Sequence, residues 1–320
     1  METQPGKSAG ARRAVLLPAV ALLVLAALAV GLTVAARGPA GPQPVDLAAR
    51  VDEYTAGFAP GTPYTVPDAA QRRAVADGVV AVLDGRPDEA GRALGPVGYR
   101  LTEFTEADSG RRVAEIADDP AGPGSARGWG RVYLDLSARA SWSVQVPHPV
   151  SDSRTELLGV DVFRAAPGGV LVLAGAHRRA GPDGSGAADP AHRADTVFAA
   201  VTEALTARGL PGLQVHGFDE GSLPGQDAVV SAGPGRAGPA AELTADGLGT
   251  AGYAVCRAWR EKCGQLEGTT NVEGRFAAGL GVPWLHVELA GRLRTEPARR
   301  AAVASVLAAT AAGWRTPVTP

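Results

Sequence analysis

The chain has 320 residues, of which 45% are apolar and 20% are charged, and its formal net charge is −2. This length allows one large domain, or a domain preceded by a smaller lobe, with enough apolar residues for a buried core. The near-zero net charge excludes the strongly basic surface typical of nucleic-acid binding, so no nucleic-acid partner is expected.

The first predicted element is an uncharged apolar run at residues 14–36. A helix of this length spans roughly 30 Å, the thickness of the hydrocarbon core of a bilayer. Lys7, Arg12 and Arg13 precede the run, and basic residues stay on the cytoplasmic side of a membrane. We therefore predict a cytoplasmic tail at 1–13, a single-pass signal-anchor at 14–36 and an extracytoplasmic remainder. The small residues Val34–Ala36 leave a cleaved signal peptide, and hence a secreted protein, as the alternative.

A linker and a small lobe are predicted to follow the anchor. Residues 37–66 begin with many Pro and Gly residues and are predicted to be a stalk with one short helix. Residues 67–138 are predicted to form an α+β lobe, in which a helix begins at Asp68 and ends at Gly85. Strands are expected at 99–104, 112–116 and 131–136. This lobe contains no histidine and no constellation of catalytic residue types.

Strand and helix patterns alternate in residues 139–320. Strands are predicted at 142–146, 170–174, 213–215, 228–232 and 284–289. Helices are predicted at 155–164, at 196–208 with Asp195 as the cap, and at 297–312. Wholly apolar strands are typical of a sheet that is covered by helices on both faces. The pattern predicts an α/β layered fold with a mainly parallel central sheet, preceded by the small α+β lobe.

Cys256 and Cys263 are the two cysteines of the chain. An extracytoplasmic protein folds in an oxidising compartment, so a disulfide between them is predicted. In one continuous helix their α-carbons would be about 10.5 Å apart, which exceeds the limit of about 7 Å for a disulfide. The segment between the two cysteines is therefore expected to bend.

All five histidines lie in the α/β portion, and His148, His177 and His216 lie at or just beyond the ends of predicted strands. The carboxyl ends of parallel strands form the ligand crevice of an open α/β sheet. Imidazole is a common metal ligand, so three histidines at equivalent places indicate a metal site at that end of the sheet.

A carboxylate near His148 extends this prediction. His148 ends a strand and Glu156 lies in the first turn of the next helix, so a ring nitrogen and a carboxylate can converge on one ion. With His216 as the third ligand, the set matches the three protein ligands of a catalytic zinc site. Asp152 lies in the intervening turn and is either the alternative carboxylate ligand or a partner of His148. A salt-bridged surface loop is the non-functional alternative.

Glu288 lies in the otherwise apolar strand PWLHVELAGR and shares a strand face with His286. Burial of a carboxylate is unfavourable unless it has a partner or a chemical role. The role that fits a zinc site is that of a general base, which deprotonates water. The alternative is a glutamate at the end of the strand, paired with Arg292 or Arg294.

The succession of His148, Glu156, His216 and a late strand reading LHVEL resembles the zinc carboxypeptidases and their relatives. Those relatives include amidohydrolases that act on acyl-glutamate and poly-glutamate. The resemblance covers residues 140–312. It implies an α/β metallohydrolase domain in which the early His and Glu and the later His bind Zn²⁺, while Glu288 is the catalytic base.

The motif departs from that superfamily in one respect. Carboxypeptidases place their first two ligands three residues apart, whereas His148 and Glu156 are eight apart. The choice between Glu156 and Asp152 therefore stays open. His177 likewise remains a rival to His216 as the third ligand.

Arginines near these loops are candidates for binding a substrate carboxylate through two parallel hydrogen bonds. Arg193 and Arg275, with Asn271 close to the latter in the sequence, are the predicted substrate-binding residues. The function predicted from the sequence is a membrane-anchored, extracytoplasmic zinc hydrolase that cleaves an amide bond in a peptide or acyl-amino-acid substrate. A non-catalytic cell-envelope binding module on the same fold is the alternative.

Overall fold

A computed structural model describes residues 1–3, 43–119, 127–181 and 186–314. The chain from Pro44 onward forms one compact unit. The predicted signal-anchor at 14–36 lies outside the described residues. Within them, no helix combines the length and the apolar character needed to cross a bilayer.

Nine strands in the described part of the chain form one sheet. They are β1 (Tyr99–Thr105), β2 (Arg112–Asp118), β3 (Arg131–Asp135), β4 (Trp142–Val146), β5 (Gly169–Leu173), β6 (Gly212–Phe218), β7 (Ala228–Ser231), β8 (Val255–Arg257) and β9 (Trp284–Ala290). Their order across the sheet is β1-β2-β3-β5-β4-β6-β9-β7-β8. The strands of the predicted small lobe, β1 to β3, therefore extend the same sheet as the later strands.

The sheet is mixed, so the prediction of a mainly parallel sheet was wrong. The central pairs β5–β4, β4–β6 and β6–β9 are parallel, as is β7–β8. The pairs β1–β2, β2–β3, β3–β5 and β7–β9 are antiparallel. An apolar run in the sequence indicates burial on both faces of a strand, and burial does not specify the direction of the neighbouring strand.

Helices cover both faces of the sheet. They are α1 (Leu47–Thr55), α2 (Ala69–Leu83), α3 (Pro87–Leu94), α4 (Thr155–Ala165), α5 (Val197–Ala207), α6 (Pro239–Thr250), α7 (Val272–Leu280), α8 (Gly291–Thr295) and α9 (Pro297–Gly313). Buried side chains of α1, α4, α6, α8 and α9 form one core cluster, and those of α2, α3 and α5 form a second. Successive residues of β5 alternate between the clusters, as the pleat of a strand requires. The layers are therefore α/β/α, which confirms the predicted class.

The helices and strands predicted from periodicity are all present, with small shifts at their ends. Helix α5 begins one residue later than predicted, because the hydroxyl of Thr196 accepts the hydrogen bond from the Ala199 amide. Asp195, the predicted cap, is instead bound to Arg193. The elements that the sequence did not indicate are α3, α6, α7, α8 and β8, which are short or contain glycines that weaken a helical pattern.

Part of the predicted stalk belongs to the folded unit. Val45 forms a bridge with Glu106 at the edge of the sheet. Leu47 and Val51 on α1 are fully buried in the core. Residues from 44 onward thus contribute apolar contacts to the α/β layers.

The predicted disulfide between Cys256 and Cys263 is present, and the α-carbons are 5.9 Å apart. The bend predicted between the two cysteines is also present, because β8 ends at Arg257 and the chain then turns. Both cysteines are buried beside Val229 of β7. The disulfide therefore fixes the chain directly before the segment at 264–271.

Arg111 joins the antiparallel part of the sheet to the helical layer. Its guanidinium forms an ion pair with the buried Asp135 and donates to the carbonyl oxygens of Phe163 and Arg164 at 2.7 Å. These carbonyls belong to the last turn of α4, where no further helical N–H is available. One partly buried cation thus satisfies both a buried carboxylate and a helix end.

Replacement of Arg111 by Ala is expected to lower the free energy of unfolding by about 3 kcal/mol, because the buried charge of Asp135 would lose its cation and keep only the hydrogen bonds from Ser137 and Gly168. The neighbouring Arg112→Ala is the matched control. Its side chain is 67% exposed and pairs with Glu103 at the surface, so a loss below about 1 kcal/mol is expected. Urea unfolding of both variants measures the difference, and equal losses would contradict the assigned role of Arg111.

Candidate metal centre

Three parallel strands bring the candidate residues to one end of the sheet. β4 leads directly into His148, β6 carries His216, and β9 carries His286 and Glu288. In the register of β6 and β9, His216 lies opposite Glu288. The candidate site therefore lies at the carboxyl ends of adjacent parallel strands, where α/β sheets bind ligands.

His148, Asp152 and His216 form a buried group whose ligand atoms are close enough to hold one metal ion. The two histidine Nδ1 atoms are 3.1 Å apart. Asp152 Oδ2 lies 3.1 Å from His148 Nδ1 and 3.3 Å from His216 Nδ1. Ligand atoms at 2.0–2.1 Å from a tetrahedral zinc ion are about 3.3–3.4 Å from one another, so the observed spacing fits a single ion.

Hydrogen bonds to the other ring nitrogens leave both Nδ1 atoms available as ligands. His148 Nε2 lies 2.8 Å from Asp189 Oδ1, and His216 Nε2 lies 2.8 Å from Gln214 Oε1. Both partners are acceptors, so each Nε2 carries the proton and each Nδ1 of a neutral ring has a free lone pair. Histidines that bind metal ions are held in this way by a carboxylate or carbonyl behind them.

The same contacts shift the pKa values of the group. Burial lowers the pKa of His148, but hydrogen bonds with Asp152 and Asp189 outweigh burial and raise that pKa to about 9. Burial, together with the nearby His286, lowers the pKa of His216 to about 4. Burial also raises the pKa of Asp152, yet hydrogen bonds from both histidines hold it far below its ordinary value. Asp152 is therefore anionic and His216 neutral, while a proton on His148 competes with a metal ion.

Glu156 and His177, two of the ligands considered from the sequence, lie outside this group. Glu156 is buried, and its Oε2 accepts a hydrogen bond from the Val150 amide at 3.0 Å. It therefore holds the loop that carries Asp152, which takes the place expected for Glu156. His177 is partly exposed, and its Nδ1 accepts from the Arg179 amide at 3.1 Å.

Glu288 and His286 lie beside the metal group on one wall of the cavity. His286 Nε2 is 3.3 Å from Glu288 Oε1, and the ring centroids of His286 and His216 are 4.5 Å apart. His286 Nε2 and Glu288 Oε2 are buried and form no hydrogen bond with any described residue. Buried polar atoms rarely remain without a partner, so these two are available to a bound substrate or water molecule.

Asn271 is buried at the inner end of the cavity. Its Nδ2 donates to Gln214 Oε1 at 2.6 Å and lies 3.4 Å from ring nitrogens of His216 and His286. Asn271 therefore helps to fix the orientation of the Gln214 amide, which in turn fixes the proton on His216.

The two predicted substrate-binding arginines do not line the cavity. Arg193 forms two hydrogen bonds with Asp195, and Arg275 is exposed on α7. Arg178 lies at the cavity wall instead. Its Nε and Nη2 donate to Asp189, and its Nη1 lies 3.3 Å from His148 Nδ1.

The cavity over the metal group has a volume of about 570 Å³. Its inner end holds the metal group with Glu288, His286 and Asn271. Its outer wall contains Asp219, Ser222 and the segment 264–270, which directly follows the disulfide. This volume is in the range of small-molecule sites and accommodates a short peptide or an acylated amino acid.

Sequence reasoning missed four functional side chains: Asp189, Arg178, Gln214 and Glu273. Gln214 had a recognisable signal, because it lies two residues before His216 and therefore shares its face of β6. Asp189 and Arg178 lie in the loop between β5 and α5, where no periodicity relates a residue to the site. Glu273 lies on α7, a helix that was not predicted.

No protein-family model and no curated protein matches the chain in sequence. Similar solved structures include N-formylglutamate amidohydrolase from Ralstonia eutropha JMP134, with 14% identity over 56% of this chain and 96% of that chain and a TM-score of 0.41. They also include a protein from Shewanella denitrificans OS217 assigned to the metallopeptidases, with 13% identity over 79% and 95% of the chains and a TM-score of 0.38.

The LapA aminopeptidase from Legionella pneumophila is a further similar structure, with 11% identity over 97% of this chain and 80% of that chain and a TM-score of 0.36. Amidohydrolases and metallopeptidases are also the classes that the sequence motifs resemble. All three TM-scores are below 0.5. The function is therefore inferred from the side chains of the site.

Glu273 is a buried carboxyl group behind the site. Its Oε2 accepts from Gln214 Nε2 at 3.2 Å, and its Oε1 has no hydrogen-bond partner among the described residues. Burial raises the pKa of Glu273 to about 8, and Glu203 contributes repulsion in the same direction. Near neutral pH the folded protein therefore keeps this carboxyl protonated.

Because the pKa of Glu273 is higher in the folded than in the unfolded chain, its contribution to stability is lost as the pH rises from about 4.5 to about 8. The expected slope is on the order of 1.4 kcal/mol per pH unit. Glu273→Gln should remove this slope, so the variant gains stability over the parent progressively across the interval. Denaturant unfolding at several pH values measures the effect, with the exposed Glu53→Gln as control. A difference between Glu273→Gln and parent that does not change with pH would contradict the prediction.

Proposed function

We propose that this protein is a membrane-anchored, extracytoplasmic zinc hydrolase that cleaves an amide bond in a peptide or acyl-amino-acid substrate. The observation that supports it best is the convergence of His148 Nδ1, His216 Nδ1 and Asp152 Oδ2 within 3.3 Å. Glu288 lines the same cavity with a carboxylate oxygen that has no described partner.

The donor set favours zinc among the metal ions of proteins. Two imidazoles and one carboxylate form a three-ligand site that leaves one tetrahedral position open, as catalytic zinc sites do. Mg²⁺ and Ca²⁺ prefer oxygen ligands in larger number. When bound, zinc supplies a Lewis acid that polarises a carbonyl group and makes water more acidic.

Glu288 is the candidate general base. It shares a strand face with His286 and lines the cavity that contains the three ligand atoms. Its carboxylate accepts a proton from the attacking water and returns it to the amine that leaves. His286 Nε2 lies 3.3 Å from Glu288 Oε1 on the same wall of the cavity.

Arg178 is the candidate residue for stabilising negative charge on the carbonyl oxygen. Asp189 holds its Nε and Nη2, while its Nη1 remains close to the ligand atom of His148. A guanidinium group held in place by a second residue needs little reorganisation during the reaction. This role differs from the binding of a substrate carboxylate that was predicted for Arg193 and Arg275, which do not line the cavity.

The proposed location depends on the sequence and on the disulfide. The apolar run at 14–36, preceded by three basic residues, supports an anchor with its C-terminal side outside the cytoplasm. The disulfide between Cys256 and Cys263 is typical of proteins in an oxidising compartment. Peptides and acylated amino acids of the cell envelope are substrates that such an enzyme encounters.

The purified protein is expected to bind one zinc ion per chain, as measured by elemental analysis after dialysis. His148→Ala and Asp152→Asn should each lose most of the zinc, because both remove a ligand atom. Glu156→Gln is the matched control, since its carbonyl oxygen can still accept from the Val150 amide and zinc should stay bound. Loss of zinc in Glu156→Gln with retention in Asp152→Asn would reverse the ligand assignment. A parent protein without zinc would favour the binding-module alternative.

Glu288→Gln is expected to keep its zinc but to lower kcat by about 10²–10⁴-fold, because the amide cannot accept a proton. Zinc content and the rate of amide hydrolysis are measured on the same preparation. A parallel loss of zinc and activity would make Glu288 a ligand and contradict its role as base.

A further inference from the structure

A carboxypeptidase has to bind the terminal carboxylate of its substrate, whereas the outer wall of this cavity carries the carboxylates of Asp219 and Glu267. We propose that the site prefers amide substrates that carry a positive charge next to the scissile bond and discriminates against carboxylates. This inference rests on the proposed amide hydrolysis and specifies its substrate class. It departs from the expectation, drawn from the sequence, that arginines bind a substrate carboxylate.

The outer cavity offers a substrate carboxylate no Lys or Arg among the described residues beyond Arg178, which the proposed reaction already uses. Among the described residues that line it, Arg178 is the only Lys or Arg, and two of its three nitrogens are bound to Asp189. The two internal segments outside the description, 120–126 and 182–185, contain neither Lys nor Arg in the sequence. A substrate carboxylate would therefore lose its water without gaining an arginine partner.

Negative charge at the outer wall has no such compensation. Asp219 is exposed, and among the described residues its carboxylate accepts only from the Gly221 amide. Glu267 accepts from the Cys263 amide at 2.9 Å. Neither carboxylate forms an ion pair with a Lys or Arg in the described part of the chain.

The net charge of the whole cavity also favours a cationic substrate. Four carboxylates line it, those of Asp152, Asp219, Glu267 and Glu288, and they outweigh the three positive charges of Arg178 and a zinc ion. A cleft lined by one sign of charge concentrates ligands of the opposite sign. An ammonium or guanidinium group in the outer cavity would thus find Asp219 and Glu267 within its surroundings, whereas a carboxylate would be repelled by both.

Substrates that share one scissile Ala–Ala bond test this preference. The uncharged reference is N-acetyl-Ala-Ala amide. On the leaving-group side it is compared with the free carboxylate N-acetyl-Ala-Ala and with the cationic aminoethyl amide of N-acetyl-Ala-Ala. On the acyl side it is compared with anionic succinyl-Ala-Ala amide and cationic Ala-Ala amide. Values of kcat/KM are measured with the full-length, zinc-loaded protein at low ionic strength.

We expect the better cationic substrate to exceed its anionic counterpart by about tenfold in kcat/KM, the size of one screened charge interaction. The ratio should approach one in 1 M salt, where the Debye length is about 3 Å. Asp219→Asn, at an exposed position that tolerates the change, should lower the ratio about threefold. Glu103→Gln on β1, at the far edge of the sheet, makes the same change of charge and should leave the ratio unaltered.

A variant that adds a cation to the outer wall tests the charge preference independently. Ser222 is exposed at the outer wall, and Ser222→Arg places a cation where the parent has none. This variant should raise kcat/KM for the anionic substrates relative to the neutral reference. An unchanged order of substrates in Ser222→Arg would contradict the assignment of selectivity to the outer wall.

Different results contradict the charge preference and the proposed amide hydrolysis. Hydrolysis that is equal for all charges, or faster for carboxylates, overturns the charge preference and leaves amide hydrolysis standing. No hydrolysis of any substrate overturns the proposed function. In that case calorimetric binding of the same compounds to the zinc-loaded protein still tests the preference, and equal or tighter binding of the anionic compounds overturns it.

Discussion

The site is organised around one electrostatic constraint, which is that two imidazole nitrogens and a carboxylate oxygen lie within 3.3 Å of one another in a buried place. Neutral imidazole lone pairs and an anionic oxygen at such spacing require a cation between them, either a proton or a metal ion. The surrounding hydrogen bonds favour the metal ion, because Asp189 and Gln214 hold the ring protons on the far side of both histidines. The orientation of Gln214 in turn depends on Asn271 and Glu273.

Close contacts with Arg294 and Asp152 fix the backbone around the metal group. Gly217 donates its amide hydrogen to Asp152 Oδ2 at 3.2 Å, and a Cβ at this position would overlap the guanidinium of Arg294. Arg294 itself donates to the carbonyl oxygens of Ser153, Phe218 and Leu289. One buried arginine therefore connects the loop after β4 with the ends of β6 and β9. Because those segments carry the ligands and Glu288, their relative positions are set by packing rather than by the metal ion alone.

The groups that cleave the amide bond and the groups that select the substrate lie in different parts of the cavity. Its inner end holds the metal group and Glu288, which are required whatever amide is cleaved. Its outer wall is formed by the chain around Asp219 and by the segment that follows Cys263. The disulfide fixes the start of that segment, so Glu267 is attached to the sheet through β7 and β8, while Asp219 directly follows β6. Substrate charge can thus be selected by side chains that take no part in bond cleavage.

The amino-acid sequence by itself determined the α/β class and the placement of histidines and Glu288 at strand ends, because these depend on local periodicity. It also indicated the disulfide, because the two cysteines of the chain were expected to lie in an oxidising compartment. It did not determine strand direction, since an apolar run reports burial and not the neighbour of a strand. Nor could it choose between Asp152 and Glu156, which lie four residues apart around one turn. Only the tertiary structure decided this, because the Val150 amide binds Glu156 while β6 brings His216 to Asp152. The roles of Asp189, Arg178 and Glu273 likewise depend on contacts between segments distant in sequence, which no local pattern encodes.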